Sequence, residues 1–405
     1  ATISGNADGS SNLTFLEAGQ DAAMEIGTDA NGYNWSMTDA EFASIQNGFN
    51  SITFGSASHT GDVVVETLDL SGLSADVNLY GNDIHLGGLT MGAGNMLVHA
   101  IDNGGDLGDL VISADITRAV DGVATLDLRA DANITNSNNA DIIASDADSD
   151  GDTDAITSAD SLHVILNADR DADSDGAIAL TNATITTLGG NFTAGGGADP
   201  LTGYASKSSS GTGHGVNLTS TNINASGGDI SINGRGSLNA ACNNNCWGLR
   251  TNGNTVIETA AAGTITIDGI GGGDVAGSFN TALHLNRTSF ASENGDISLT
   301  GQTTGTATTN YAIALNDIDI ITSGSGSIAL SAKNNRILTW NSLSNFNSNN
   351  DILIRADDYT QLNPAVYSIN AADTLSFEEY TDGTSISIGS TTNTIDISDA
   401  MLAQT

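Results

Sequence analysis

The sequence predicts an all-β protein, a right-handed parallel β-helix in which each coil contains three short strands. Three observations lead to this fold class: a short motif, Gly-x-Ile-x-Ile or Gly-x-Ile-x-Leu, that recurs along the chain, trios of apolar residues at nearly fixed spacing, and a composition poor in helix formers. A single coil cannot bury its apolar face, so its stability depends on stacking against neighbouring coils. A β-sandwich of short strands is the alternative, and the absence of Asn-Gly hairpin turns at sandwich spacing disfavours it.

The recurring motif places isoleucine or leucine at alternate positions after a glycine or a Gly-Asp pair. Copies stand at 228–232, 263–267, 295–299 and 326–330, with a weaker copy at 350–354. A period of two places the apolar side chains on one face of a strand and the polar side chains on the other. Each copy therefore predicts a short strand with its apolar face toward the interior.

Apolar residues also form trios at intervals of seven or eight residues. These intervals fit strands of a few residues joined by short turns of Gly, Asn, Ser or Asp, which together close one coil. Strands connected in one direction favour a right-handed path. The trios are Leu126, Ile134 and Ile142; Ile178, Ile185 and Phe192; Val216, Ile223 and Ile230; Leu283, Phe290 and Ile297; and Ile313, Ile320 and Ile328.

One segment departs from the strand pattern and predicts a short helix over 38–47. Thr38 and Glu41 form a capping box, in which each side chain accepts a hydrogen bond from the backbone N–H of the other residue. Asn47 and Gly48 follow as a stop signal for the helix. We expect this helix to lie across the solenoid.

The charge of the chain argues against two classes of partner. Its 405 residues include 48 Asp and Glu against 10 Lys and Arg, a net charge of −38, so it lacks the basic surface that nucleic acids and anionic membranes require. No run of about 20 apolar residues predicts a membrane-spanning helix. The 39% hydrophobic content argues against disorder. Residues 1–5 lack the pattern of a signal peptide, so we expect a processed protein or a piece of a longer one.

The end of the chain resembles its beginning. Residues 13–15, 26–28 and 37–43 recur in the same order as residues 375–377, 388–390 and 397–403. Residues 1–45 thus resemble residues 363–405. We expect residues 1–405 to form one β-helix unit of a tandem array with a period of about 360 residues, in which neighbouring units cover the ends of each solenoid.

Several segments carry a family resemblance. The segments 36–54 and 161–197, and the coils from Val216 to Leu330, resemble the repeats of large filamentous-haemagglutinin-like exoproteins. The resemblance implies a right-handed β-helix in a secreted bacterial adhesin or surface fibre. The N-terminal secretion domain of that family is not present here, so the resemblance does not identify the secretion route.

An acidic hexapeptide, Asp-Ala-Asp-Ser-Asp-Gly, begins at Asp146 and again at Asp171. The offset between the copies is close to the predicted length of one coil, which suggests two loops on neighbouring coils. Carboxylates at alternate positions suit Ca²⁺, and stacked loops would repel one another without a cation. We therefore expect Ca²⁺ as a cofactor, although a solvated acidic loop without a metal would have the same sequence. The candidate ligands are Asp146, Asp148, Asp150, Asp152, Asp154, Asp169, Asp171, Asp173 and Asp175.

The two cysteines, Cys242 and Cys246, are separated by three residues. They are too few for the four ligands of a structural zinc site, and a local disulfide fits a secreted protein better. The small loop that it would close makes its entropic contribution modest.

These features predict a structural function: a repeat unit of a secreted bacterial fibre or giant adhesin stalk, whose partners are further copies stacked end to end. Strong negative charge would keep such a fibre soluble. An enzyme is not expected, although polysaccharide lyases and hydrolases are a minor alternative. Neither a catalytic residue nor an organic cofactor is predicted.

A carbohydrate- or receptor-binding adhesin module is the other alternative. Three long variable loops, 195–213, 233–248 and 269–280, are where contact with a cell-surface glycan or receptor would lie. Glycan sites usually contain clustered aromatic residues, and Trp35, Trp247 and Trp340 are far apart in the sequence.

Overall fold

The computed structural model describes most of the chain. The described residues are 3–5, 10–27, 33, 35–103, 108–145, 160–207, 213–238, 242, 245–272, 280–303, 310–339, 344–358, 367–380, 386–388 and 395–397. Within them, no helix is both long and apolar enough to span a membrane.

The described part of the chain contains one short helix, α1 (Asp39–Phe42), and many short strands. The strands are β1 (Ser11–Phe15), β2 (Met24–Ile26), β3 (Trp35–Met37), β4 (Phe49–Phe54), β5 (Val63–Asp69), β6 (Asp76–Gly81), β7 (Ile84–Met91), β8 (Met96–Ala100), β9 (Leu110–Ile112), β10 (Ile116–Arg118), β11 (Ala124–Ala130), β12 (Ile134–Asn136), β13 (Ile142–Ala144), β14 (Leu162–Ala168), β15 (Ile178–Thr181), β16 (Thr184–Thr186), β17 (Phe192–Gly196), β18 (Ala205–Ser206), β19 (Val216–Thr219), β20 (Asn222–Asn224), β21 (Ile230–Arg235), β22 (Leu249–Asn252), β23 (Thr255–Glu258), β24 (Ile265–Ile270), β25 (Leu283–Ser292), β26 (Ile297–Gln302), β27 (Ile313–Thr322), β28 (Ile328–Thr339), β29 (Ser344–Ser348), β30 (Ile352–Asp358), β31 (Tyr367–Ala371), β32 (Leu375–Glu378), β33 (Ile386–Ile388) and β34 (Ile395–Ile397).

These strands form a parallel β-helix, which confirms the predicted fold class. Within the described residues, two long parallel sheets of 14 and 18 strands run along the molecule. In the middle coils the chain contributes one strand to the first sheet and two short strands to the second, as β21, β22 and β23 do before β24 begins the next coil. Each of these coils therefore has the three predicted strands.

The predicted apolar trios form three columns of side chains along the solenoid axis. Each residue of a column pairs with its counterpart on the next coil, so the columns build one continuous core. One column contains Ile178, Val216, Leu249, Leu283, Ile313 and Ile337; the second contains Ile185, Ile223, Ile257, Phe290, Ile320, Phe346 and Ile369; and the third contains Phe192, Ile230, Ile265, Ile297, Ile328, Ile352 and Leu375.

Where an aspartate precedes the first isoleucine of the recurring motif, it connects successive coils. Its carboxylate accepts a hydrogen bond from the backbone N–H that precedes the equivalent strand of the next coil, a bond that fixes the register of the two strands. The donors and acceptors are Thr264 and Asp229, Ser327 and Asp296, and Thr374 and Asp351, with N···Oδ1 distances of 2.8, 2.8 and 3.1 Å. Part of the negative charge thus stabilises the coil itself.

The bend between the two strands of the second sheet requires left-handed backbone. Asn182, Ser220 and Asn254 occupy this bend in successive coils, and in the next two coils Arg287 and Asp317 occupy the equivalent place within the continuous strands β25 and β27, all with φ between 49° and 62°. Asn, Asp and Ser tolerate this conformation because their short side chains can bond to the local backbone. This preference explains why polar residues recur between the apolar positions of each trio.

The helix is shorter than the predicted segment 38–47. Thr38 caps α1 through the predicted capping box with Glu41, but α1 ends at Phe42. Beyond it, Ile45 forms a bridge with Ile3, in which the N–H of Ile3 donates to the carbonyl of Ser44 (2.9 Å). Strand pairing therefore ends the helix before the Asn-Gly stop signal is reached.

Candidate functional site

The second acidic hexapeptide lies at the turn where the chain leaves β14 for β15. Two backbone bonds hold the start of this turn: Asp169 donates its N–H to the carbonyl of Ala132 (3.2 Å), and Gly197 donates to the carbonyl of Asp169 (2.9 Å). Asp169, Ala172 and Ser174 all adopt positive φ, which curls the loop tightly. The turn therefore directs several of its side chains toward one point.

Three of the predicted ligands meet there. Asp169, Asp171 and Asp173 each offer a carboxylate oxygen, and these oxygens lie within 4.8 Å of one another. Asp169 is only 5% exposed, whereas Asp171 and Asp173 are exposed. Asp169 also accepts the N–H of Ser174 at Oδ1 (2.8 Å). The donor set is entirely hard oxygen, which suits Ca²⁺, with further ligands to come from backbone carbonyls or water.

The electrostatics of the cluster favour neutralisation. Burial, aided by repulsion from Asp173 and Asp171, raises the pKa of Asp169 to about 7 despite the opposing effect of the Ser174 N–H bond. The pKa of Asp171 is raised as well, first by burial and then by Asp173 and Asp131. A proton or a bound cation would relieve this repulsion.

The remaining predicted ligands do not join this cluster in the described part of the chain. Asp175 donates its N–H to Asp173 Oδ1 (2.8 Å) but is not among the three residues that converge. The first hexapeptide, with Asp146, Asp148, Asp150, Asp152 and Asp154, lies outside the described residues.

The inference that the two hexapeptides are one coil apart is wrong. Leu126 pairs with Val164 on the next coil, and Ile134 pairs with Ile178, so a coil in this region is much longer than the offset between the two copies. The segment 146–154 follows β13 of the second sheet, whereas Asp169 follows β14 of the first sheet. The two segments therefore follow strands of different sheets, and a calcium site shared between them stays untested.

The three variable loops follow the first-sheet strands of successive coils. Each strand extends into the first residues of the predicted loop that follows it. Thus β17 includes residues 195–196, β21 includes residues 233–235 and β24 includes residues 269–270. The first loop also contains a short strand, β18, which pairs with β21. These loops begin on one side of the solenoid because equivalent positions of consecutive coils lie above one another.

Side chains tie the first loop to the following coils. The O–H of Tyr204 donates to Asp268 Oδ2 (2.9 Å), and burial, with the charge of Asp268, raises the pKa of Tyr204 to about 12. Asn233 Nδ2 donates to the carbonyls of Pro200 and Leu201, both at 2.9 Å. The loop is therefore anchored against two coils.

The second loop contains the disulfide. Cys242 and Cys246 are bonded, their Cα atoms are 6.2 Å apart, and both residues are fully buried. The bond closes the segment just before Trp247 and thereby limits the positions that the indole can adopt.

Trp247 lies between two imidazoles from the neighbouring coils. Its ring is stacked on His214 (centroids 4.8 Å apart, planes at 8°) and on His284 (3.9 Å, 6°), with the Arg250 guanidinium 5.6 Å from the indole centroid. Burial and, after it, the charge of Arg250 lower the pKa of both histidines to about 4. Both faces of the indole are covered, so the stack stabilises the base of the loops and leaves no open face for a sugar ring.

The sequence did not reveal this stack. His214 and Trp247 each stand two residues before a strand of one core column, and His284 lies inside the next strand. Their unequal spacing along the chain hides that relation, because the loops between the strands differ in length. Only the strand register brings these residues together.

The two ends of the described chain are built alike. Strands β1, β2 and β3 at the N-terminal end have counterparts in β32, β33 and β34, which carry the recurring sequence segments. Met24 pairs with Trp35 and Ile26 with Met37 in parallel register; in the same way, 386 pairs with 395 and 388 with 397. The register of β2 with β3 is thus the same as that of β33 with β34.

Aromatic residues form the N-terminal end face. Phe15 stacks on the buried Phe54 (centroids 5.0 Å apart), and Trp35 meets both rings at 6.1 and 6.3 Å. Phe15 and Trp35 are half-buried, and the next residue after β1, Leu16, is 49% exposed. Apolar side chains of the first coil therefore reach the surface here.

Comparison of the chain with protein-family models, with curated proteins and with solved structures returns no match.

Proposed function

We propose that the chain is a structural repeat unit of a secreted bacterial extracellular fibre or giant adhesin stalk, in which units stack end to end. The observation that carries this proposal is the likeness of the two ends. Strands β1, β2 and β3 have counterparts in β32, β33 and β34 in the same chain order, and β33 pairs with β34 in the register of β2 with β3. A chain whose end repeats its beginning after a whole number of coils is suited to continue into a further unit.

The architecture supports the same function. A parallel β-helix can extend indefinitely, because each coil offers its neighbour the strand edges and the apolar columns that the next coil needs. An end that is not covered exposes strand edges to unwanted pairing, and a neighbouring unit removes that hazard. A repeated unit therefore stabilises the ends that it covers.

Charge and covalent chemistry agree with an extracellular location. A net charge of −38 keeps neighbouring fibres apart through mutual repulsion. The Cys242–Cys246 disulfide is typical of oxidising compartments. Calcium is the proposed cofactor: bound to Asp169, Asp171 and Asp173, it would neutralise the cluster and stiffen the turn after β14.

We favour this structural role over catalysis and over glycan recognition. The covered faces of Trp247 do not support sugar stacking at the loop base. An adhesin module is the second candidate because the three loops begin on one side of the solenoid. A glycan array probed with the full chain tests that candidate.

Electron microscopy of the protein in its native extracellular setting, together with sedimentation of the purified chain, tests the proposal. We expect unbranched fibres one solenoid wide, and purified protein that forms rods of increasing length with concentration. A native protein that is a discrete monomer with no flanking units would refute it.

A further inference from the structure

We propose that consecutive units meet at a shared-coil joint. In this joint β1 of one copy takes the place of β32 and lies beside β30 of the preceding copy. Leu13 then lies opposite Ile352, Thr14 opposite Leu353, and Phe15 opposite Ile354. The proposal rests on the proposed function, since it specifies the partner, a second copy of the chain, and the register of the contact.

The structure already contains this contact within one chain. Strand β32 pairs with β30, so that Leu375 lies opposite Ile352 and Phe377 opposite Ile354. The sequence Leu-Ser-Phe of β32 matches the Leu-Thr-Phe of β1. The C-terminal coil therefore occupies the place that the N-terminal coil of the next copy would take.

Strand β1 has the features of the incoming partner. Its residues 13–15 pair with residues 52–54 of β4, and no described strand lies on their other side. Leu13 and Phe15 are half-buried, and Thr14 is exposed. A strand on this side would complete the burial of both apolar side chains and pair the edge with a matching column.

The C-terminal coil competes for the same edge. As part of the same chain it acts at high effective concentration, which favours the internal contact over an incoming copy. The Arg355 guanidinium also bonds to Glu378 (Nη2···Oε2 2.5 Å), whereas the equivalent N-terminal position is Leu16. Weakening β32 should therefore free β30 for a second copy.

Engineered cysteines in the full chain test the register. Adjacent parallel strands place paired Cα atoms about 4.8 Å apart, which a disulfide can span. Thr14→Cys with Leu353→Cys places one thiol at each end of the solenoid, about 50 Å apart at about 4.8 Å per coil, so only an intermolecular bond can form between them. The native cysteines are already bonded to each other.

Two matched variants control the experiment. Asn12→Cys with Leu353→Cys keeps an exposed β1 position but shifts it by two residues, about 7 Å along the strand. Leu353→Cys with Ser376→Cys joins positions that pair within one chain and so reports how fully β32 occupies the edge. Each is made in the native background and with Leu375→Asp and Phe377→Asp, which remove the apolar contacts of β32.

Under mild oxidation we expect a ladder of covalent oligomers from the Thr14→Cys chain, stronger when β32 is weakened, and loss of that ladder from the Asn12→Cys chain. No ladder with weakened β32, or equal ladders from both registers, would overturn the shared-coil joint. Circular dichroism verifies that the weakened chain is folded. If native fibres exist and the ladder does not, this inference fails while the proposed function stands; the absence of fibres would refute the proposed function instead.

Discussion

Replacing one core isoleucine by alanine should weaken the coils around it and leave distant coils intact. Ile320 is fully buried and lies between Phe290 and Phe346 in one core column. The neighbouring Ile321 is 36% exposed and points away from the core. The two positions differ by one residue in the same strand, so Ile321→Ala is a matched control for Ile320→Ala.

The magnitude follows from the atoms removed. Alanine lacks three of the carbon groups of isoleucine, worth about 2.4 kcal/mol in lost burial at about 0.8 kcal/mol each. The cavity between two large rings adds to this loss, so we expect about 3 kcal/mol for Ile320→Ala. An exposed position typically changes stability by less than about 0.5 kcal/mol.

Hydrogen exchange measured by mass spectrometry reads this effect coil by coil. In a solenoid each coil contacts only its neighbours, so the free energy of opening should fall by about 3 kcal/mol in β25, β27 and β29, equivalent to roughly 100-fold faster exchange. Strands β4, β6 and β8, at the other end, should exchange as before. Equal effects of the two substitutions, or an equal acceleration along the whole chain, would refute this account of the core.

Three further predictions concern the pH response, the coil ladder and the cation. The pKa values of His214 and His284 are lowered to about 4 in the folded protein, so these imidazoles bind protons at higher pH in the unfolded chain than in the folded one. Stability should therefore fall as pH drops from about 6.5 to about 4. Tryptophan fluorescence should report this loss, and replacing both histidines by phenylalanine should abolish this pH dependence. Asp296→Ala should cost about 1 kcal/mol by removing the acceptor of the Ser327 N–H, while Asp296→Asn, which keeps an acceptor, should cost less in a thermal melt. Calcium at about 100 times its Kd should add about 2.7 kcal/mol to stability and raise Tm, and Asp169→Asn should reduce that gain; an unchanged Tm with chelator and no heat in calorimetry would contradict a calcium site.

The regular coils can be predicted from the sequence because the pattern that specifies them lies within short segments of the chain. Alternation around Ile230 and Ile297, with intervals of seven or eight residues, reports strand faces and turns directly. These residues lie in the core columns, as the predicted trios require. The helix was predicted too long because the Asn-Gly stop signal says nothing of the bridge between Ile45 and Ile3, which ends it earlier.

Which residues come together in a site depends on the register of the paired strands, and the sequence does not show that register. Insertions change the length of a coil, so the offset between the two hexapeptides resembles one coil in the sequence but is shorter than the coil that the strand pairing defines. The same insertions separate His214, Trp247 and His284 in the sequence although their rings are stacked. The convergence of Asp169 with the neighbouring aspartates was more accessible, because these residues belong to a single turn.

The axial repeat of the native fibre tests the central claim most directly. From β1 to β32, twelve coil steps of about 4.8 Å separate the equivalent strands, which gives a repeat of about 58 Å per unit. Cryo-electron microscopy or fibre diffraction should show a layer line at about 4.8 Å, from the strand spacing, and a longer repeat of about 58 Å. Fibres with an unrelated axial repeat, or strands that run along the fibre axis, would contradict the end-to-end solenoid.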